Sequence, residues 1–369
     1  MSEDERFMQR ALELARQAQG YTSPNPMVGA VIVRDGEIVA EGYHHAAGQP
    51  HGEIEALRAL EGSAEGLTMY VNLEPCSHYG RTPPCADAVI EAGLARVVIG
   101  ILDPNPQVNG RGVRRMQDAG IDVSIGVMEQ ESLELNEAFF TYIQKKRPFV
   151  SLKIATSLDS RIATRTGDSQ WLSSEPARVW AHEMRAASDA ILVGAGTVMA
   201  DDPSLTVRHV EGPDPLRVVL DSHLRSPLNA KMFQEPLASG TVVYCTQPDE
   251  QKVQQLRAQG VAVELLPAGD DGRVQLTAVL DALAGRDCQS LLVEGGGEIH
   301  GAFLNAGLVD KVQVVLTPWL LGEDGRPAFR HQGQDRLHDS LQLASWSMTP
   351  IGPDFLLEAR PKWPVQKED

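Results

Sequence analysis

The sequence predicts an α/β protein with two domains. Short runs of branched apolar residues alternate with amphipathic helical patterns along the whole chain, as they do in sheets covered by helices. A length of 369 residues favours two domains over one. One alternating series ends in the basic run Lys145-Lys146-Arg147, and a second series starts after Pro148. We therefore predict domains over residues 1–147 and 148–369.

The first domain opens with a helix. Ser2 and Glu5 form a capping box ahead of it, its apolar face runs from Phe7 to Ala18, and Gly20 is expected to end it. A tight turn at residues 35–36 then joins two paired strands. Strands are predicted over residues 28–33, 38–40, 68–73, 97–101 and 123–125, and helices near His51, Pro84 and Gly110 and over about 129–144. This order predicts a three-layer α/β domain around a mixed sheet.

The second domain repeats the alternation of strand and helix. Strands are predicted over residues 149–155, 190–193, 217–220, 242–245, 261–266 and 291–293. The last strand leads into Glu294-Gly295-Gly296-Gly297 and then into a helix. Backbone N–H groups at such a glycine-rich helix start can approach a phosphate, although a tight turn without a ligand fits the pattern equally well.

The motif with the clearest chemistry lies in the first domain. His51-Gly52-Glu53 is followed by Pro75-Cys76 and by Cys85. One imidazole and two thiolates can bind Zn²⁺ and leave the fourth tetrahedral position to water, and a glutamate beside the histidine can transfer protons. This combination is the signature of the zinc deaminases; a structural zinc site or no metal at all is the alternative. We expect each ligand at a helix N-terminus after a strand, where the helix dipole favours thiolate.

Two further segments accompany this motif. The loop between Cys76 and Cys85 carries His78 and Arg81 beside the predicted metal. Upstream, a proline-bracketed turn holds Asn25, whose amide is suited to reading the edge of a base by hydrogen bonds.

Composition limits the classes of partner. The net charge is −17, and residues 1–147 hold 13 Lys and Arg against 21 Asp and Glu, so a basic face for nucleic acid is not expected. Four cysteines form no disulfide framework, and Cys245 and Cys288 are expected to be reduced core residues. The start of the chain is acidic, and no apolar run has the length of a membrane span. We expect a cytoplasmic protein that binds neither membranes nor nucleic acid.

The ordered motifs resemble a known family. S-P-N-P-x-V-G, G-x-H-x6-H-x-E and E-P-C-S-H-x-G-R-T-P-P-C resemble the deaminase half of the bifunctional riboflavin-biosynthesis deaminase/reductases. S-L-D-x-R-I-A, M-R-A-x2-D-A-I-L-V-G-x-G-T-V and D-D-P-x-L-T-V-R resemble the reductase half. The resemblance implies a cytidine-deaminase-like domain and a dihydrofolate-reductase-like domain. It also implies deamination of a diaminopyrimidinone ribosylamino 5′-phosphate with Zn²⁺, followed by reduction of the ribosyl group with NADPH.

The resemblance also implies roles for individual residues. The zinc ligands would be His51, Cys76 and Cys85, with Glu53 as the proton shuttle. The pyrimidine and its ribose phosphate would be held by Asn25, His44, His78 and Arg81. NADPH would contact Ala155, Trp171, Thr197, Asp201, Gly295, Gly296 and Gly297. The reductase substrate would face Ser169, Arg185, Leu205, Arg208 and Glu294.

Some residues keep two interpretations. Lys153 is either a proton donor to the sugar oxygen or an exposed strand lysine, and Asp201 is either a cofactor ligand or a turn former in the Asp-Asp-Pro corner. His182, His209 and His223 are expected to be ordinary surface residues. The family usually has alanine where this chain has Gly52, a change that removes only a methyl group and is not expected to impair the chemistry.

Two other functions fit parts of the sequence. A nucleic-acid base deaminase with an RNA-binding second half would use the same zinc chemistry, but the acidic composition disfavours it. A zinc-stapled scaffold would have no use for Glu53. We also expect a homo-oligomer, formed through a sheet face or an edge strand of the second domain.

Overall fold

The computed structural model describes residues 1–78, 84–106 and 108–363. By its internal contacts the chain divides into two compact units, Met1–Arg147 and Pro148–Asp369. Among the helices that the model describes, none has the length and apolar character needed to span a bilayer.

The first unit alternates strands and helices. Its strands are β1 (Gly29–Arg34), β2 (Glu37–Tyr43), β3 (Thr68–Leu73), β4 (Arg96–Ile101) and β5 (Asp122–Ile125). Its helices are α1 (Glu3–Arg16), α2 (Gly52–Ala59), α3 (Cys85–Glu91), α4 (Arg111–Asp118), α5 (Glu129–Leu135) and α6 (Glu137–Lys145).

These strands form one mixed sheet in the order β2-β1-β3-β4-β5. β1 runs antiparallel to β2 and β3, whereas β3, β4 and β5 are parallel. Side chains alternate between the two faces of β1: Ile32 packs among α2, α3 and α4, while Val31 packs under α1. Helices therefore cover both faces, which confirms the three-layer prediction.

The first helix and the hairpin follow their local signals. Ser2 and Glu5 form the expected capping box. Asp35 and Gly36 both have positive φ, 50° and 79°, in the turn between β1 and β2, as a two-residue hairpin requires. The helix ends at Arg16, earlier than Gly20, and residues 17–20 continue as turns.

The single helix predicted over residues 129–144 is wrong. It is two helices, α5 and α6, interrupted at Asn136, which has a φ of −110°. The Asn136 side chain accepts a hydrogen bond from the Met27 N–H at 2.8 Å and donates one to the Met27 carbonyl at 2.9 Å. A contact to a distant turn therefore decides the break, and helical periodicity does not reveal it.

The second unit contains the remaining elements. Its strands are β6 (Phe149–Ser157), β7 (Arg161–Ala163), β8 (Ala190–Gly194), β9 (Leu216–Leu220), β10 (Thr241–Cys245), β11 (Ala262–Leu265), β12 (Ser290–Val293), β13 (Lys311–Thr317), β14 (Arg326–Pro327), β15 (Gln342–Ile351) and β16 (Asp354–Lys362). Its helices are α7 (Glu175–Ala186), α8 (Ala195–Asp201), α9 (Glu250–Ala258), α10 (Leu276–Ala284) and α11 (Gly297–Asn305).

Its main sheet has nine strands in the order β11-β10-β9-β8-β12-β6-β13-β16-β15. All pairs from β11 to β13 are parallel, and β16 and β15 add an antiparallel edge. The loops that follow the parallel strands meet at one edge of the sheet, where α/β proteins bind ligands. The sequence analysis predicted β6 and β8 to β12 but not β13, β15 and β16; nearly every residue of β15 is exposed, so it shows no apolar alternation.

Candidate active sites

The three predicted zinc ligands meet in the first unit. The candidate ligand atoms of His51, Cys76 and Cys85 all lie within 4.8 Å of one another. His51 Nδ1 is 3.7 Å from Cys76 Sγ and 3.3 Å from Cys85 Sγ. Nitrogen and sulfur ligands on one tetrahedral zinc ion lie about 3.6 Å apart, given the usual Zn–N and Zn–S bond lengths. This donor set therefore fits Zn²⁺.

The local structure explains how the ligands are held. His51 is the N-cap of α2, and Cys85 is the first residue of α3. Cys76 differs from the prediction, because it lies in the loop after β3 and not at a helix N-terminus. Its sulfur instead accepts the backbone N–H of Cys85 at 3.3 Å, so α3 still stabilises a thiolate at this position.

Mutual contacts separate the protonation states of the ligands. Hydrogen bonding to Cys85 and His51 lowers the pKa of Cys76 to about 4. The contact with Cys76 raises the pKa of His51 to about 9, and the contact with Cys76 together with burial raises the pKa of Cys85. Binding of a divalent cation favours the deprotonated form of all three groups.

Glu53 follows His51 by two residues, in the first turn of α2, and is buried. Its Oε2 has no hydrogen-bond partner among the described residues, and burial raises the pKa of the carboxyl group to about 7. A carboxyl group with a pKa near neutrality, next to a metal site, can both accept and donate a proton.

Asn25 and His44 form one hydrogen-bonded pair beside these residues. His44 Nδ1 donates to the Pro50 carbonyl at 3.0 Å, so Nε2 accepts from the Asn25 amide nitrogen at 3.1 Å. Burial and the neighbouring His51 lower the pKa of His44, which keeps the ring neutral. The Asn25 amide nitrogen is thereby occupied, and its carbonyl oxygen is the atom that can accept from a ligand.

The turn that carries Asn25 is fixed by residues that the sequence analysis missed. Asn72, on β3, accepts from the Gly29 N–H at 2.8 Å and donates to the Met27 carbonyl at 3.0 Å, and Asn136 binds the same carbonyl. Asn72 is fully buried. In the sequence, the only sign of its role was an asparagine within a predicted strand that is otherwise largely apolar.

Glu74 is a second missed residue. It is buried next to Pro75-Cys76, and its carboxylate accepts four backbone N–H groups, from Asp103 (3.3 Å), Gly110 (2.9 Å), Gly112 (3.0 Å) and Val113 (3.3 Å). It thus caps α4 from another element, since the N-cap residue of that helix is a glycine without a side-chain cap.

This capped segment also brings a carboxyl group toward the metal site. Burial raises the pKa of Asp103 to about 6, and the charges of Glu74 and Cys76 contribute to the shift. The sequence contained Asp103-Pro104-Asn105-Pro106, a turn motif, but nothing in its spacing connected it with the zinc ligands.

The Cys76–Cys85 loop is described only in part. His78 is half-buried, and its Nδ1 has no partner among the described residues. Arg81 lies outside the described residues, so its predicted role is not addressed by the structure.

Gly52 occupies a position with no room for a side chain. A Cβ atom there would lie 2.7 Å from the Val28 carbonyl oxygen and 3.3 Å from the Gly29 Cα. The start of α2 therefore packs backbone against backbone on the start of β1, and glycine is required at this separation.

In the second unit, a cavity of about 1430 Å³ opens at the carboxyl ends of the parallel strands. Of the residues predicted to bind cofactor or substrate, it is lined by Lys153, Ala155, Ser169, Thr197, Asp201, Glu294, Gly295, Gly296 and Gly297. Trp171, Arg185, Leu205 and Arg208 are not part of this lining. The volume is sufficient for a dinucleotide together with a small substrate.

The glycine run has one open position. A Cβ on Gly295 would lie 2.6 Å from Ile299 Cβ, and one on Gly297 would lie 2.4 Å from the Pro327 carbonyl oxygen. A Cβ on Gly296 would meet only Thr197 Oγ1, at 3.9 Å. Packing therefore explains two of the glycines, whereas Gly296 faces open space in the cavity and leaves its backbone accessible to a ligand.

Glu294, Arg185 and Lys153 form a buried charged group. Arg185 donates to both carboxylate oxygens of Glu294, at 2.9 and 2.8 Å. Burial opposes ionisation, but the positive charges of Arg185 and Lys153 lower the pKa of Glu294 to about 2. Burial lowers the pKa of Lys153, which is half-buried at the cavity wall and not the exposed strand lysine of the alternative interpretation.

Arg185 also holds the segment that contains Leu205 and Arg208. Its Nη1 donates to the Thr206 carbonyl at 3.2 Å, and Leu205 is buried with a φ of +52°. The Arg208 guanidinium is exposed, and within the described ranges its one hydrogen bond goes to Thr206 Oγ1, at 2.7 Å. Arg208 therefore has more N–H groups available for an anion than Arg185 does.

The prediction that His182 lies at the surface is wrong. The side chain is 5% exposed, and its Nδ1 accepts the Arg208 backbone N–H at 3.1 Å. Burial and the charges of Arg185 and Arg208 lower its pKa to about 4. His209 and His223 are exposed, as predicted.

Trp171 and Asp201 lie at the periphery of this site. Trp171 is exposed, and the Arg178 guanidinium lies 4.8 Å from its ring centroid. Asp201 is the last residue of α8 and lines the cavity, where Arg326 is its charged neighbour. Cys245 and Cys288 are buried free thiols, as predicted.

Comparisons with known proteins show the family of the chain. The family model described as "RibD C-terminal domain" matches residues 148–357, and the cytidine and deoxycytidylate deaminase zinc-binding region matches residues 1–101. The riboflavin biosynthesis protein RibD of Escherichia coli K12 is 44% identical over 96% of this chain and 98% of its own length. The chain belongs to the RibD family. The RibD protein of Aquifex aeolicus is 42% identical over 96% of this chain and 97% of its own length.

Solved structures of the RibD family show the same architecture. Acinetobacter baumannii RibD has a TM-score of 0.87 at 37% identity and covers 98% of this chain and 99% of its own. The Thermotoga maritima diaminohydroxyphosphoribosylaminopyrimidine deaminase/5-amino-6-(5-phosphoribosylamino)uracil reductase has a TM-score of 0.84 at 38% identity, with the same coverage. The predicted α/β class and the resemblance are confirmed: the chain is a deaminase and reductase of riboflavin biosynthesis.

Replacing Gly52 with alanine is expected to destabilise the deaminase unit. The added methyl group would force the start of α2 away from β1, an overpacking that costs about 1–3 kcal/mol of unfolding free energy. Chemical denaturation monitors this change. Gly333→Ala is the control, because a Cβ there meets nothing within 4 Å; equal stability of both variants would contradict the close-packing argument.

Glu74→Gln is expected to slow deamination and leave the reductase half unchanged. The amide NH₂ would face backbone N–H donors that now bind a carboxylate, and such unmade buried hydrogen bonds cost about 1–3 kcal/mol each. Separate assays of the two half-reactions and the zinc content test this. The control is Glu91→Gln, an exposed glutamate on α3. Unchanged deamination in Glu74→Gln would show that the α4 segment does not depend on this cap.

Proposed function

We propose that the first unit deaminates a diaminopyrimidinone ribosylamino 5′-phosphate and that the second unit then reduces its ribosyl group with NADPH. The observation that carries the proposal is the convergence of His51, Cys76 and Cys85 beside the buried carboxyl group of Glu53, whose Oε2 has no hydrogen-bond partner among the described residues. The charged group at the wall of the second cavity supports the reductive step.

In the deamination step, His51, Cys76 and Cys85 would hold Zn²⁺, a Lewis acid that would lower the pKa of a water molecule at the site. Glu53 accepts a proton from the attacking water and delivers it to the leaving amino nitrogen, while a C–O bond forms at the amine-bearing ring carbon, the bond from that carbon to the exocyclic amino nitrogen breaks and ammonia leaves. A glutamate whose pKa burial raises to about 7 is suited to both transfers.

Substrate recognition in this unit falls to groups beside the metal site. The Asn25 carbonyl oxygen accepts from an amino or N–H group of the pyrimidine, because neutral His44 already occupies the Asn25 amide nitrogen. His78 and Arg81 contact the ribose phosphate. A small phosphorylated substrate needs only a few local cations, so the net charge of −17 does not argue against it.

In the reductive step, bound NADPH would supply the hydride that reduces C1′ of the ribosyl group. Lys153 donates the accompanying proton to the ring oxygen as the C1′–O bond opens, and a lysine whose pKa burial lowers releases that proton more readily. Glu294 orients Lys153 and Arg185 by its negative charge. Ala155, Thr197, Asp201 and the backbone at Gly296 contact the cofactor, and Gly295 and Gly297 shape that backbone.

Arg208 binds the substrate phosphate in this unit. Its guanidinium is exposed and forms a single hydrogen bond in the part of the chain that the structure describes, and planar guanidinium groups bind phosphates bidentately. Arg185 supports Arg208, because Arg185 donates a hydrogen bond to the carbonyl of Thr206, which is close to Arg208 in the chain. Ser169, Leu205 and Trp171 complete the substrate and cofactor surfaces.

Paired variants test the assignment of the two steps. Glu53→Gln removes the proton shuttle and is expected to slow ammonia release by about 10²–10⁴-fold, while NADPH oxidation with the deaminated substrate stays unchanged. Lys153→Met is expected to give the reverse pattern. Ammonia release and NADPH absorbance are followed in separate assays on the same zinc-loaded protein.

Each activity is the internal control for the other variant. Zinc content and circular dichroism of both proteins are compared with the wild type, so that a folding defect is recognised. Ammonia release at the wild-type rate in Glu53→Gln would overturn the role of Glu53, and NADPH oxidation at the wild-type rate in Lys153→Met would overturn that of Lys153.

We also propose that the chain forms a homo-oligomer through the β15 edge of its second unit. β15 spans ten residues at the end of the sheet, and Trp346 and Met348 on it are 64% and 44% exposed. Long apolar edge strands of this kind pair with another chain. Trp346→Glu is expected to lower the molecular mass in sedimentation equilibrium, with Leu337→Glu, another exposed residue, as the control; an unchanged mass would exclude this edge.

A further inference from the structure

The arginines that line the reductase cavity differ in their partners. Arg273 pairs with Asp271 at 3.8 Å and Glu298 at 3.5 Å, and Arg330 pairs with Glu298 at 3.4 Å. Arg326 faces the carboxyl group of Asp201. Arg225 also lines the cavity and is exposed, but it forms no hydrogen bond or ion pair within the described part of the chain. Its positive charge is therefore available to a ligand.

The turn that carries Arg225 is rigid. Asp221, at the end of β9, is buried, and its carboxylate accepts the Ser226 N–H at 2.7 Å. Leu224 is buried with a φ of +51°, and its N–H donates to the Asp221 carbonyl at 3.0 Å. The Ser222 hydroxyl accepts the Val274 N–H at 3.1 Å. Arg225 thus projects from a backbone that is fixed on both sides, so little ordering is needed when an anion binds.

The strand order places the turn that carries Arg225 far from the part of the cavity that contains Lys153. Lys153 and Ala155 lie on β6, the Gly296 backbone follows β12, Thr197 follows β8, and Arg225 follows β9. These four strands are consecutive neighbours in the sheet, so about 14 Å separates β6 from β9 at the usual strand spacing. Along the cavity, Lys153 therefore comes first, the open backbone at Gly296 lies in the middle, and Arg225 lies at the opposite corner. These three places match, in this order, the nicotinamide, the pyrophosphate and the adenosine of an extended dinucleotide.

We propose that Arg225 binds the 2′-phosphate of NADPH and is the residue that selects NADPH over NADH. This inference rests on the proposed reductase function. Ser222 and His223 line the same corner and complete the contact surface for the adenosine ribose. NADH has a neutral hydroxyl group where NADPH has a phosphate, so a guanidinium at this corner gains an ionic contact with NADPH alone.

The acidic group of the turn does not compensate the charge of Arg225. A carboxylate that binds the ribose 2′-hydroxyl is the usual sign of a preference for NADH. The carboxylate of this turn is that of Asp221, which is buried and whose Oδ2 accepts the Ser226 N–H. The corner therefore attracts a phosphate, and the contact is expected to weaken with increasing ionic strength because Arg225 is exposed.

Calorimetric titration of the full-length protein tests the assignment. The probes are adenosine 2′,5′-bisphosphate and adenosine 5′-phosphate, which differ only in the 2′-phosphate, together with NADPH and NADH. Arg225→Gln is expected to weaken binding of the bisphosphate and of NADPH by about 10–100-fold, the effect of one charge-assisted contact. Binding of adenosine 5′-phosphate and NADH is expected to change less than about twofold.

Arg273→Gln is the matched control, because Arg273 lines the same cavity but is already paired with two carboxylates. The inference is supported if only Arg225→Gln loses the preference for the 2′-phosphate. Retention of the preference in Arg225→Gln, or its loss in Arg273→Gln alone, would overturn the role of Arg225 and leave the reductase proposal intact. A wild-type protein that binds the two adenosine phosphates equally would also overturn the role of Arg225, whereas a wild-type protein that binds neither NADPH nor NADH would contradict the reductase proposal itself.

Discussion

The contact of α2 with the β1–β2 hairpin determines the geometry of the deaminase site. A Cβ on Gly42 would lie 2.2 Å from the Ala56 backbone nitrogen, and one on Gly52 would lie 2.7 Å from the Val28 carbonyl oxygen. The helix therefore rests on the strands with almost no side chain between them. Because His51 and Glu53 flank Gly52, this separation sets the depth of both the metal ligand and the proton shuttle.

The geometry of the reductase site depends on an ion pair between Glu294 and Arg185. Glu294 follows β12, and its carboxylate fixes Arg185, which in turn holds the Thr206 carbonyl. A buried carboxylate is stable only with such partners, and removal of one partner leaves an uncompensated charge. One acidic residue thereby links the cavity wall at Lys153 to the segment that presents Arg208.

Asparagine and glutamate side chains perform the same organising role in the deaminase unit. Asn72 and Asn136 converge on the backbone of Met27, and Glu74 collects the N–H groups at the start of α4. Each satisfies backbone groups that would otherwise be buried without partners. The loops that surround the metal site are therefore fixed by polar side chains from the sheet and from α5–α6.

Local sequence determined the family, the zinc-ligand set, the capping box of α1, the hairpin turn and the strands from β1 to β6 and β8 to β12, because these signals lie within a few adjacent residues. Tertiary packing alone decided the break at Asn136, the cap by Glu74, the burial of His182 and the lack of a partner for Arg225 among the residues that the structure describes. Each of these depends on a partner, or on the lack of one, far away in the chain. Short-range periodicity records which face of an element is apolar, but it does not record which distant polar group that face will meet.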